Sequence, residues 1–141
     1  MPRHTTTMKI IEAAGGIRGF EVESRQISEE LWLHHFRGNQ EFFLSKHESP
    51  EEEGITQLRY RTVDGRVSVQ SSVTLSQYRG AGYATRLYVL CVEHFGTLYS
   101  DGIVSRSAQK VWERMASEGQ VKVELGKARR EDSPHKASLH F

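Results

Sequence analysis

The chain has 141 residues, the length of one domain and enough to bury a core of its own. Nineteen Lys and Arg against eighteen Asp and Glu leave a formal charge of +1, which argues against a polybasic nucleic-acid module and against an acidic disordered tail. Cys91 is the single cysteine, so an internal disulfide and any paired-cysteine metal or redox motif are excluded and a reducing, cytoplasmic setting is expected.

The longest apolar run covers residues 87–92, far below the roughly 20 needed to cross a bilayer, and the N-terminus has no apolar signal core. In chain order, residues 8–11 read as a short strand running into Ala-Ala-Gly-Gly at 13–16. Phe20, Glu21, Val22 and Glu23 alternate with period two, like a half-buried strand. Ser28 then looks like a helix cap. Glu29 and Glu30 suit a positive helix start, and Ile27 is placed to staple onto Trp32. The expected helix carries Leu31, Trp32, His35 and Phe36 on one side and stops at Gly38-Asn39.

Phe42, Phe43 and Leu44 suggest another short element, and residues 47–54 a solvated loop. Residues 55–63 and 66–75 flank Asp64-Gly65, a strong hairpin signal because both turn positions favour positive φ. Val67, Val69, Val73 and Leu75 are expected to share one face of the second strand. A glycine-rich turn follows, then a helix over 83–95 with Ala84, Leu87, Tyr88, Cys91 and Phe95 on its buried stripe. Residues 97–100 read as a strand. A second helix spans 105–117, with Ala108, Val111, Trp112 and Met115 inward and Gly119 as its stop. Residues 121–125 and 137–141 are weaker strands around a charged loop at 127–136. The expected class is α/β or α+β with a mixed sheet, in a single domain over 1–141.

The chemistry centres on Arg79-Gly80-Ala81-Gly82-Tyr83-Ala84. Glycines let backbone approach a ligand closely, and the first amides of a helix lack intrahelical partners. Such a turn suits a pyrophosphate, with Arg79 adding charge-assisted hydrogen bonds. It is neither a P-loop nor a dinucleotide fingerprint, since GxxxxGK[ST] and the third glycine are both missing. The ordinary alternative is a tight strand-to-helix turn with no ligand.

The segment Val73-Thr-Leu-Ser-Gln-Tyr-Arg-Gly-Ala-Gly-Tyr-Ala84 resembles motif A of the GNAT acyltransferase superfamily, through Arg79-x-x-Gly82-x-Ala84 with Tyr78 ahead of the arginine. The resemblance spans about residues 67–115. It implies a mixed, mostly antiparallel sheet flanked by helices, and acetyl-CoA as cosubstrate. Pyrophosphate would lie on the amides of Arg79, Gly80, Ala81, Gly82, Tyr83 and Ala84, and the pantetheine arm on the backbone of Val73, Thr74 or Leu75. Ser76 stands where many members have proline. Members are often dimers, which makes a homodimer the assembly to test.

Two departures concern catalysis. Many members carry a glutamate on the strand before motif A, whereas Gln70, Ser71 and Ser72 are the polar residues here. The tyrosine expected on the second helix falls on Trp112, whose indole is no general acid. Ser105 and Ser107 can orient a water or simply cap their helix. Glu21, Glu23 and Asp101 are the carboxylates from which a base would be borrowed, with a solvated sheet face or a turn cap as their plain roles. His34 and His35 are adjacent, so on a helix they would diverge by about 100° and could not chelate one metal. Cys91 reads as core.

The leading expectation is an acetyl-CoA-dependent N-acyltransferase working by direct attack of an amine acceptor, with no metal and no covalent enzyme intermediate. The acceptor is a small molecule or a protein, and no membrane or nucleic-acid partner is implied. The alternatives are a catalytically impaired CoA-binding protein and a macromolecule-interaction protein using the Trp32-bearing helix and the basic tail loop.

Overall fold

A computed structural model describes residues 4–9, 20–100, 105–119, 121–124 and 127–130. Six strands come first: β1 (His4–Lys9), β2 (Phe20–Ser28), β3 (Leu31–Phe36), β4 (Glu41–Ser45), β5 (Gly54–Val63) and β6 (Arg66–Thr74). Then follow α1 (Tyr83–Phe95), β7 (Thr97–Tyr99), α2 (Arg106–Glu118), β8 (Val121–Glu124) and β9 (Lys127–Arg130). The described strands form one sheet in the order β1-β2-β3-β4-β5-β6-β7-β9-β8. All neighbours are antiparallel except β6 and β7, which are parallel and joined by the α1 crossover. The architecture is mixed α+β, and none of the described helices is long and apolar enough to cross a membrane.

The hairpin at Asp64-Gly65 forms as its sequence demands, with φ of 55° and 77° at the two turn residues. The helix expected over 28–37 does not form. Glu29 and Glu30 are instead the turn between β2 and β3. Polar Ser-Glu-Glu suits a tight turn as well as a helix start. β3 is buried along almost its whole length, so it shows no alternation and reads as an apolar run of ambiguous period. Pairing to β2 on one side and β4 on the other decides the outcome. Two adjacent histidines therefore point to opposite faces of a sheet.

A second correction concerns β6. Arg59 pairs with Ser71 and Tyr60 with Val69, leaving Gln70 bulged. The bulge switches the inward parity. Val69 is buried, but Ser72, not Val73, then faces α1, and Val73 is 53% exposed. A third correction is at 127–136, where the expected loop begins as β9. The strand expected at 137–141 lies outside the described residues.

One face of the sheet packs under α1 and α2. Leu44, Leu58, Leu87, Leu98 and Met115 are completely or almost completely buried there, together with Cys91, whose thiol is pushed up by burial. Burying each such side chain contributes about 1.5–3 kcal/mol. A smaller cluster of Val22, Phe36 and Phe43 lies on the opposite face.

Candidate functional site

Thr74 ends β6, and a single 3₁₀ turn over Ser76–Tyr78 follows. Leu75 stays tied to the sheet through its amide, which donates to Ile55 O at 3.0 Å. Gly80 and Gly82 adopt φ of 82° and 86°, conformations that glycine enters without steric penalty. Gly82 occupies the N-cap of α1 and offers no side-chain cap. The first helical bond runs from Arg86 N–H to Gly82 O. The amides of Tyr83, Ala84 and Thr85 therefore have no acceptor within the helix, and the dipole's positive end lies beside them.

α2 completes the wall of a cleft of about 560 Å³ in front of these amides. Arg114 reaches across so that a Cβ added to Gly82 would stand 3.4 Å from its Nη2. Its Nε also donates to Glu118 at 3.0 Å. Arg79 Nε donates to Thr74 O at 3.1 Å, holding its guanidinium over the end of β6. Arg79, Lys110 and Arg114 line the cleft, and no carboxylate is among its described lining residues. The arrangement attracts an anion.

Most of the residues singled out in the sequence converge here. Val73, Thr74, Arg79, Gly80, Gly82, Tyr83 and Ala84 line the cleft, and Ser105 and Ser107 close its α2 side. Leu75 lines a different pocket, and Ala81 lines neither. Ser105 Oγ accepts from Ala108 N at 3.1 Å, so it caps α2 as well as facing the cleft. Among the described residues β6 and β7 pair only at Ser68 and Tyr99, leaving the cleft-side edge of β6 without strand pairing towards Thr74.

Other expected residues lie elsewhere. Glu23 is on β2, four strand spacings from β6, about 19 Å at the usual spacing. It accepts from Arg37 Nη2 at 2.9 Å and stands 3.7 Å from His35 Nδ1. Asp101 lies outside the described residues. Glu21 is within β2, also remote from β6 in strand order. Trp112 is buried edge-on against Tyr88, with ring centroids 5.8 Å apart, and is not part of the cleft.

Three contributors escaped the sequence reading. Lys110 and Arg114 look like the solvated face of an amphipathic helix until α2 is laid beside the turn. Tyr88 was legible as core, yet its hydroxyl is 2.9 Å from Ser72 Oγ, and Ser72 lines the cleft. Burial raises the Tyr88 phenol above its ordinary range, with the Ser72 bond opposing. It remains protonated at neutral pH.

The two histidines of β3 are structural. His34 Nε2 donates to His47 O at 2.9 Å, so Nδ1 accepts from Ser24 Oγ at 2.8 Å. Burial lowers its pKa to about 4. On the other face His35 stacks on Phe42 and shares a 2.7 Å hydrogen bond between Nε2 and Tyr60 Oη. Burial, with His94 nearby, also lowers His35 to about 4 against the pull of Glu23. No group of three metal-ligating side chains occurs among the described residues.

Comparison with protein-family models, curated proteins and solved structures found no match to this chain.

Proposed function

We propose that the protein is an acyl-CoA-dependent N-acyltransferase that moves an acetyl group from acetyl-CoA to an amine by direct attack. The carrying observation is the cleft, where a helix N-terminus with three unsatisfied amides, a glycine turn and Arg79, Lys110 and Arg114 all face one space. A pyrophosphate fits that chemistry, and Gly82 leaves open a volume that a side chain would fill. The edge of β6 from Val73 onward gives a pantetheine arm backbone to pair with. The local resemblance to motif A supports the same ligand.

Acetyl-CoA supplies the activated thioester. The amine nitrogen forms the C–N bond to the carbonyl carbon, the C–S bond breaks, and its electron pair leaves on sulfur. One amine proton goes to a base and the second to the thiolate. Ser72 lines the cleft and is the hydroxyl to which we assign the developing sulfur charge, with the Tyr88 hydroxyl bonded to it from behind. A lysine-like amine costs about 4–5 kcal/mol to deprotonate at pH 7, and an α-amine much less. With Glu23 engaged by Arg37 and remote from β6, the base for a lysine-like acceptor has to come from elsewhere than β2.

A second reading, CoA binding without transfer, is favoured by the burial of Trp112 where the family pattern has tyrosine. Release of free thiol with any amine separates the two.

The first test is calorimetric titration of acetyl-CoA into the wild type, Gly82→Ala and Gly82→Glu. Micromolar binding is expected. Gly82→Ala, which imposes only backbone strain, should weaken it less than Gly82→Glu, which also neutralises Arg114 and should cost at least about 100-fold. A folded wild type that binds no acetyl-CoA overturns the reading.

A further inference from the structure

The sheet carries a second pocket, on the face away from α1 and α2. It occupies about 270 Å³. Phe43, Ile55, Val73 and Leu75 form its apolar walls, and Glu41 and Glu52 bring carboxylates to it. Register assigns the face: Ser72 points at Tyr88 under the helices, so Val73 projects to the other side. Phe43 belongs to that side's own cluster, in line with this assignment. Glu41 is held by Gln57, whose Nε2 donates to Glu41 Oε2.

We propose that this pocket is the acceptor site, and that it takes a small primary amine bearing an apolar arm. The assignment rests on the transferase reading for its role, though not for the pocket's ligand chemistry. Two carboxylates beside the apolar walls complement one ammonium group on an apolar body. The volume, near the lower end for ligand pockets, suits a small acceptor. Its position supplies the link to the cleft, because Val73 lines both spaces. An anion-attracting cleft and a cation-attracting pocket therefore meet around the unpaired edge of β6 at Val73. In the transfer, a carboxylate of this pocket takes the first proton from the ammonium, the step for which β6 itself carries no acidic residue. The nitrogen lone pair then forms the C–N bond as the C–S bond breaks, and the second proton goes to the thiolate.

The experiment uses phenethylamine as probe and phenethyl alcohol as its uncharged counterpart, each titrated into ¹⁵N-labelled protein. The amine should shift the amides of Ile55, Gln57, Val73 and Leu75, and the alcohol should bind at least 10-fold more weakly. Glu52→Gln and Gln57→Lys should each weaken the amine at least 10-fold and leave acetyl-CoA binding unchanged. The second variant introduces a like charge from β5 without replacing a carboxylate, so the test does not depend on one substitution. Equal binding of alcohol and amine overturns the assignment, as do shifts confined to other strands. Acetyl-CoA binding without amine binding sinks the acceptor site alone. Amine binding in the pocket without acetyl-CoA binding removes the transferase reading and the acceptor role with it, leaving only an amine site.

Discussion

On the helix side of β6, Ser72 is joined to Tyr88 and looks into a cleft furnished with Arg79, Lys110 and Arg114. On the other side, one residue along, Val73 stands half exposed beside Phe43 and Ile55, with Glu41 and Glu52 close by. The two faces differ in charge, and they also differ in how they are closed. α1 and α2 seal the first with a continuous core, whereas the second has a small apolar cluster and an open pocket. The contrast depends on Gln70. Were Gln70 paired in a regular ladder instead of bulged, Val73 would follow Val67 and Val69 inward and Ser72 would face away. A single unpaired residue thus decides which chemistry each face of the strand presents.

Exchanging the two residues, Ser72→Val with Val73→Ser, is the most drastic way to break that contrast. The exchange carries a valine into the space beside Tyr88 and turns the serine out. The buried phenol would then lose its partner, a penalty of about 1–3 kcal/mol before any repacking. Acetyl-CoA affinity should fall at least about 100-fold, and the midpoint of urea unfolding should drop clearly. Unchanged binding in an exchanged variant that still folds would show that the inward serine does not organise the cleft.

Acid stability probes both faces together, because each buries a neutral histidine. His34 and His35 have folded-state values of about 4 against an ordinary 6.5. Between those values the unfolded chain binds protons that the folded protein does not. Stability is therefore complete above pH 6.5 and is lost as pH falls towards 4, by on the order of 3 kcal/mol for each histidine. The faces part company on substitution. His34→Phe strands the Ser24 hydroxyl, whereas Ser45 keeps its bonds to His47, and should cost about 1–3 kcal/mol at pH 7. His35→Phe strands the Tyr60 hydroxyl in the same way but also removes Nδ1, a buried nitrogen with no hydrogen-bond partner, and so costs less. Each variant should flatten the acid slope. Urea titrations at pH 7, 5.5 and 4.5 measure both effects, and a slope unaffected by either substitution would mean that the histidines are not its source.

What could be read in advance followed the reach of the signals. Asp64-Gly65, Gly82, Ser105 and Gly119 each act through their own backbone or the next few residues, and each ends or begins an element as expected. The stretch through α2 was therefore legible, including the turn that faces the cleft. Residues 28–36 were not, because Ser28-Glu29-Glu30 satisfies a helix start and a hairpin turn alike, and strand pairing on both sides breaks the tie. The bulge at Gln70 was hidden for a related reason. A valine pattern of period two carries no mark of an inserted residue until the neighbouring strand is in register. The charges of the cleft and the walls of the pocket were least visible. Arg114 meets Gly82 only through the packing of α2, and Glu41, Ile55 and Val73 come from three different strands.

The smallest effect tests whether the charges of the two faces act separately. Arg114 is half exposed, and its bond to Glu118 is a surface i,i+4 pair, so Arg114→Ala should change stability by no more than about 0.5 kcal/mol. Its guanidinium nonetheless lies against the glycine turn, where loss of one charge-assisted contact should weaken acetyl-CoA about 10-fold. The loss should shrink as salt rises, because the cleft is open to solvent and its field is screened. Glu52→Gln provides the counterpart, with acetyl-CoA affinity unchanged at every salt concentration. Calorimetry at two ionic strengths compares them directly. Equal weakening by both substitutions would mean that net charge, and not the separate furnishing of two faces of one strand, governs binding.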